Sequence, residues 1–244
     1  MRKCMLLFIW FLAYMPCMAQ VPDSKVLDKA KQGDAIAQND LGVFYISKGE
    51  DAQALYWWEQ AASQDYAKAQ ANLGEFYCRK KDYATGLKWV VPAANKGSKN
   101  AMYRLALCYL NGEGMDKSLQ EALKWSRKSA EAGMEEAYIL TSIIYEKHYN
   151  DKENAKVWYK RAADNGDVRA LNWLGTEEMK VGNTDVGFQY FMKAANKGFA
   201  QSQYNVGLYY FNTHEYEAAK IWLEKAAKQG YTSAIEFLKR KELQ

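Results

Sequence analysis

The sequence predicts an all-α fold, a right-handed α-solenoid of stacked helix–turn–helix repeats. Three observations predict it. An aromatic residue followed by a pair of small residues recurs along the chain: Trp57 with Ala61-Ala62, Trp89 with Ala93-Ala94, Trp125 with Ser129-Ala130, Trp158 with Ala162-Ala163, Tyr190 with Ala194-Ala195 and Trp222 with Ala226-Ala227. The second members of these pairs lie 32, 36, 33, 32 and 32 residues apart, a period that belongs to stacked-repeat architectures. A glycine closes each segment at Gly33, Gly97, Gly133, Gly166, Gly198 and Gly230, with Asp65 in its place once. Beyond each of these anchors a second stripe begins, with a small residue four positions on, a leucine or similar residue at eight, a small residue at nine and usually a tyrosine at twelve. Those spacings put the stripe on one face of a helix.

The elements follow in order. Residues 1–19 stand outside the array. Arg2 and Lys3 precede an apolar run from Met5 to Met15 and then Cys17-Met18-Ala19, the layout of a secretory signal peptide with cleavage after Ala19. The run is shorter than the ~20 residues that span a bilayer, so no stable membrane span is expected. Lipid attachment at Cys17 is the alternative, although Tyr14 and Pro16 suit it poorly. Residues 23–32 carry Ala30 in the register of a helix terminus and form an N-terminal capping helix. Six repeats follow, at 33–64, 65–96, 97–132, 133–165, 166–197 and 198–229, and residues 230–244 form a C-terminal capping helix. Lys25, Lys29 and Lys31 at one end and Lys239, Arg240 and Lys241 at the other give the terminal elements the polar outer side that such stacks need.

Within a repeat, helix A carries the leucine, the small residue and the tyrosine, as in Leu41-Gly42 with Tyr45 and Leu73-Gly74 with Tyr77. Helix B carries a small residue three before the aromatic (Ala54, Gly86, Ala122, Ala155, Gly187, Ala219) and then the alanine pair. Glycine inside a helix costs roughly 1 kcal/mol against alanine. Its fixed register at Gly42, Gly74, Gly175 and Gly207 therefore marks a close helix crossing, where the alanine pair of helix B is expected to pack. The closing glycine fits a left-handed C-cap. Pro92 falls inside helix B of the second repeat and predicts a kink or an interrupted helix there.

Ala101, Leu105, Tyr109, the turn Asn111-Gly112-Glu113-Gly114, Ala122, Trp125, Ala130 and Gly133 resemble the Sel1-like repeat, a relative of the tetratricopeptide repeat. The resemblance runs over about residues 23–244. It implies a scaffold whose A helices line a concave groove that binds a protein or an extended peptide. By that resemblance, Asn72, Tyr103, Arg104, Arg169, Asn172, Trp173, Tyr204 and Asn205 are the candidate groove residues. Amide side chains can both donate to and accept from a peptide backbone. Arginines meet carboxylates, and aromatics give rigid contact area. Surface asparagines at these positions would allow Asn172 and Trp173 to be replaced together with the fold largely intact.

Basic and acidic residues number 33 and 29, and no basic stripe emerges, so a nucleic-acid role is disfavoured. Beyond the leader, two cysteines remain, Cys78 and Cys108, in helix A of successive repeats. Neighbouring helices lie ~8–10 Å apart and a disulfide needs Cα atoms within about 7 Å, so a bridge requires both side chains to face one groove. Cysteine-rich members of the family carry a disulfide in each repeat; this chain lacks that pattern. Some of them are associated with β-lactam binding and hydrolysis, which makes a hydrolase of β-lactam or cell-wall-like substrates the alternative to an adaptor. The sequence holds no Ser-x-x-Lys, Ser-Asp-Asn or Lys-Thr-Gly, the constellation such hydrolysis commonly uses. His148 and His214 lie in turns of different repeats and form no metal pair, and Glu178 replaces the helix A tyrosine of its repeat. No catalytic residue, metal or cofactor is expected. A secreted, periplasmic adaptor is.

Overall fold

The computed structural model describes residues 23–240 together with Leu243. The expected leader and Cys17 lie outside them. Fourteen α-helices occupy the described residues: α1 Ser24–Lys31, α2 Ala35–Ser47, α3 Asp51–Ser63, α4 Ala67–Arg79, α5 Tyr83–Asn95, α6 Lys99–Asn111, α7 Leu119–Glu131, α8 Glu135–Ile143, α9 Lys152–Asp164, α10 Val168–Lys180, α11 Thr184–Asn196, α12 Ala200–Asn212, α13 Tyr216–Lys228 and α14 Thr232–Phe237. A π-turn, Ile144–His148, continues α8. Among the described residues there is no strand, and no helix is long and apolar enough to cross a membrane. The chain falls into two compact units that divide within α4, one running to Leu73 and the other starting at Gly74. Each is built of consecutive antiparallel helix pairs, an α-solenoid architecture.

The helix boundaries follow from local chemistry. Each anchor glycine has positive φ, from +81° at Gly230 to +94° at Gly33, and Asp65 adopts the same left-handed conformation at +67°. The amide after the anchor then reaches back to the first small residue of the pair, as in Ser98 to Ala93 O and Phe199 to Ala194 O at 3.0 and 3.1 Å. This closes helix B as a Schellman-type cap. The next helix A starts at once. Asp34, Ser98 and Asp167 cap it with their side chains, accepting from the amides of Ala37, Ala101 and Ala170.

Repeat-length differences are absorbed in the A–B connections. The third repeat spends its additional residues on the turn between α6 and α7. A Cβ on Gly114 there would come within 2.6 Å of Tyr83 Cβ, and its φ is +73°. Glycine is the residue that lets this turn lie against α5. The fourth repeat is one residue longer than the commonest length, and it forms the π-turn, closed by Tyr149 N donating to Ile144 O at 3.2 Å. Just before it, Thr141 and Ser142 occupy the Leu-Gly positions of the other A helices. Their hydroxyls bond back to Ala137 O and Tyr138 O at 2.7 and 2.8 Å, a competition that bends helices.

The helix A glycines do mark close crossings, but the partner differs from the expected alanine pair. A Cβ on Gly207 would lie 2.7 Å from Leu223 Cγ and 3.3 Å from Ala219 O. One on Gly175 would lie 2.6 Å from the Phe191 ring and 3.0 Å from Gly187 O. Helix A therefore rests on the small residue early in helix B and on the residue four positions later. The alanine pairs are buried at the other end of helix B, where Ala130, Ala137 and Trp158 share a core cluster with Tyr103 and Tyr138. A second correction concerns the interruption expected at Pro92. α5 runs unbroken from Tyr83 to Asn95 with Pro92 inside it. The carbonyl deprived of its donor belongs to Lys88, which is exposed, so water can replace the lost bond.

Polar side chains seal the seams between repeats. Gln38, Gln70 and Gln203, five positions after their anchors, donate to the carbonyls of Ala30, Ala62 and Ala195 at 3.1, 3.4 and 3.2 Å. Each gives a helix-terminal carbonyl a second donor beside the amide of the anchor residue, Gly33, Asp65 or Gly198. Outside the core, a cation three residues beyond the helix B aromatic covers its ring, with Arg161 at 4.4 Å from the Trp158 centroid and Lys225 at 3.9 Å from that of Trp222.

Two stability outcomes follow. Trp158→Ala should cost on the order of 3–5 kcal/mol, because the indole is 5% exposed; chemical denaturation of the purified variant measures this. Gly207→Ala should destabilise by roughly 1–3 kcal/mol through overpacking despite alanine's better helix propensity, and a rise in the unfolding midpoint would refute the crossing.

Candidate functional site

Repeat geometry brings together the position six after one anchor and the position seven after the next. In the first unit, Asn72 Nδ2 donates to Asn39 Oδ1 at 2.9 Å. In the second, Asn205 Nδ2 donates to Asn172 Oδ1 at 3.0 Å, and the Ser202 hydroxyl donates to the same oxygen at 2.9 Å. These amides clamp one A helix to the next. Asn172 is only 7% exposed, so replacing it together with Trp173 will not spare the fold, contrary to the sequence expectation. At the same two positions two other repeat pairs carry apolar side chains: Ile139 and Trp173 pack in one core cluster, and Tyr204 and Phe237 in another.

The other candidates are also engaged. Arg104 makes two 2.6 Å bonds to the Glu75 carboxylate and lies 3.9 Å from Glu113. Burial alone would lower its pKa, but the paired Glu75 outweighs it and holds the guanidinium above its ordinary value. Burial raises the Tyr103 phenol, with the Glu136 charge adding to it. Trp173 stacks on Tyr159 with centroids 4.1 Å apart and donates to Glu146 at 2.9 Å. The Tyr159 hydroxyl donates to the other oxygen of Glu146 at 3.0 Å. Burial, then the Glu146 charge, pushes the Tyr159 phenol well up. Glu146 sits on the π-turn, which presents its carboxylate to both aromatics. Tyr204 packs against Tyr231 with centroids 5.3 Å apart.

Arg169 is the most open of the set. It pairs with Asp167 at 2.7 Å and has 57% of its side chain exposed. Beside it, Glu135, Glu136 and Asn165 line a small polar recess of about 150 Å³. Glu178 accepts from Lys156 and Asn183, both at 2.8 Å. The bond from Lys156, then that from Asn183, lowers its pKa, so it ties α9 to the turn after α10 as an ionised acceptor. His148 ends the exposed π-turn, and His214 bonds Tyr216 at 2.9 Å.

An apolar cavity lies between α10 and α12, beside Asn205. It encloses about 480 Å³ and is walled by Thr176, Met179, Phe191, Asn205, Leu208 and Tyr209. Tyr209 is held by stacking on Phe188, with centroids 4.0 Å apart. Of the sequence candidates, Asn205 alone lines it. Leu208 and Tyr209 were missed because a Leu-Tyr-Tyr run in helix A reads as core. The available signal was that Val206, Tyr210 and Gly207 already fill the repeat's buried positions, which leaves Leu208 and Tyr209 surplus to its packing.

Comparison with known proteins places this geometry in a family. The Sel1 repeat model matches residues 35–66, 67–98, 99–134, 146–167, 169–199 and 200–231. The chain belongs to the Sel1 repeat family. A solved protective antigen of uropathogenic Escherichia coli with an SLR fold superposes with a TM-score of 0.78 at 30% identity, over 86% of this chain and 49% of that one. A Sel1 repeat protein from Oxalobacter formigenes gives 0.75 at 28%, over 88% and 67%. Among curated relatives, rat DAP3-binding cell death enhancer 1 is 54% identical over 39 residues, which is 16% of this chain and 8% of that protein. The Saccharomyces cerevisiae chitin synthase regulator SKT5 is 33% identical over 87 residues, 34% of this chain and 12% of that protein. The chain thus spans a small part of these curated relatives.

Asn172→Ala strips the acceptor from two donors, and each stranded donor costs about 1–3 kcal/mol where it is buried. Thermal or denaturant unfolding should show a loss in that range. Asn205→Ala should lose less, because its donor leaves with it.

Proposed function

We propose that this Sel1 repeat chain is a secreted, periplasmic adaptor that holds an extended segment of a partner protein along its A helices. The recess between α10 and α12 takes one apolar side chain of that segment. The recess is the observation that carries the reading. Its volume of about 480 Å³ falls within the ~300–1,000 Å³ of ligand pockets, which combine apolar walls with a few polar groups. Its walls here are the Phe191, Leu208 and Tyr209 side chains, and Asn205 is the polar group at the edge.

Rigidity supports the same reading. Asn172 and Asn205 tie α10 to α12, and Lys156 with Glu178 ties α9 to α10, so little ordering is needed on binding. The tetratricopeptide-like repeat fold favours protein–protein interaction, and two of the relatives carry names that describe binding a protein and regulating an enzyme. The basic and apolar segment ending at Ala19 supports export across the inner membrane, with lipid attachment at Cys17 as the variant of that route.

Selection from a random-peptide display library, followed by titration of the selected peptide, tests the proposal. Leu208→Asp should weaken that peptide at least tenfold, while the unfolding midpoint moves by only a few degrees. Ile221→Asp, an exposed position on α13, should leave affinity unchanged. Equal affinity for the wild-type and Leu208→Asp proteins would place the contact elsewhere and overturn the assignment.

A further inference from the structure

Cys78 and Cys108 lie in the second unit, on α4 and α6, 3% and 0% exposed. Both are free thiols. Cys78 lies three residues after Glu75 on α4 and Cys108 four after Arg104 on α6, so the 2.6 Å Arg104–Glu75 pair brings together the two helix faces that carry them, one turn away. The Cys78 Sγ sits 2.5 Å from where a Cβ on Gly86 would be, so the glycine opens the space that the sulfur fills. Arg104, Glu75 and Glu113 form an ion-pair cluster alongside. The sulfurs come from successive repeats, so a bond between them would tie one repeat to the next.

We propose that Cys78 and Cys108 are a redox pair that closes into an inter-repeat disulfide under a small-molecule disulfide oxidant. The thiolate of Cys78 attacks one sulfur of the oxidant, forms a mixed disulfide and releases one oxidant thiolate. Cys108 gives up its proton and attacks Cys78 Sγ, which releases the second thiolate. Two cysteine thiols are oxidised, one external disulfide is reduced to two thiols, and the two cysteine protons end on those thiols.

The asymmetry of the pair supports this order. The hydrogen bond from Cys108 is the main influence that lowers the Cys78 thiol; burial opposes it and the Arg104 charge adds to it. The same bond, with burial, pushes Cys108 well up. The more readily ionised thiol is the attacking one, and the buried partner resolves. Exchange needs local opening. The end of α6 and the glycine-containing turn after it are the segments next to Cys108.

The test uses the full chain, incubated with oxidised glutathione, blocked with an alkylating reagent and digested with trypsin under non-reducing conditions. Cys78 falls on the peptide 69–79 and Cys108 on 105–117, while Cys4 and Cys17 share a third. The expected product is peptide 69–79 joined to 105–117, formed within a monomer and lost on reduction. Its formation should raise the unfolding midpoint by about 5 °C. In Cys108→Ser the joined peptide should vanish and Cys78 should retain glutathione. Alkylation of both peptides after prolonged oxidation, or linkage of either to another molecule, would overturn the proposal. The wild-type mapping stands alone should the serine variant fail to fold.

Discussion

The crossing of helix A over helix B is the constraint on which the remainder depends. At Gly74, Gly175 and Gly207 the backbone of helix A lies against a carbonyl of helix B, that of Gly86, Gly187 or Ala219. No side chain larger than hydrogen fits at that depth without displacing its neighbours. The approach brings the leucine of helix A to full burial, as at Leu73, Leu105 and Leu174. The aromatics of helix B, such as Trp125 and Trp158, are buried beside it, and a lysine or arginine covers one face of the ring. A helix penalty of roughly 1 kcal/mol per glycine is offset by contact along the whole pair.

Stacking one pair on the next is a polar problem as much as an apolar one. Each repeat ends in a helix terminus buried under its successor, and terminal carbonyls cannot go without donors. The anchor amide supplies one donor, and Gln38, Gln70 and Gln203 supply a second from the next repeat. Asparagine answers a second demand, the A-to-A seam, where Asn39 with Asn72 and Asn172 with Asn205 recur at the same pair of positions. Where the seam is apolar, as between Ile139 and Trp173, the two side chains share a core cluster instead. Side chains that would otherwise present amides to a ligand are thereby committed to structure. In the recess beside Asn205, polar and apolar groups remain together at the surface.

Much of the fold was legible because its determinants are local and repeated. The anchor glycines, the small residues of helix B and the Leu-Gly step of helix A each have one physical cause and recur. Even Asp65, the exception among the anchors, follows the backbone of its neighbours, at +67°. The interruption expected at Pro92 did not form because the carbonyl it deprives belongs to Lys88, an exposed residue. The candidate site was read less well. Helical register assigns a residue to a face but not to a partner, and Asn172 differs from a surface asparagine only through Ser202 and Asn205, thirty or more residues away. A cavity is a shortfall of packing between non-adjacent segments, and no local pattern spells it.

The fourth repeat shows how a departure from the pattern is converted into geometry. It carries one residue more than the commonest repeat and has Thr141-Ser142 where others have Leu-Gly. The family match there begins only at residue 146. Tyr145 remains at the usual distance from its anchor, whereas Ala155 is displaced by one, so the added residue must be accommodated between them. A π-turn holds one residue more than an α-turn, and it lies at Ile144–His148. The turn restores the register of α9, so Ala155 and Trp158 are buried like their counterparts. It also swings Glu146 into reach of Tyr159 and Trp173, which gives two aromatic donors a common acceptor across the seam. An insertion that would rotate an uninterrupted helix by about 100° is instead confined to a single turn, and the layers above and below keep their packing.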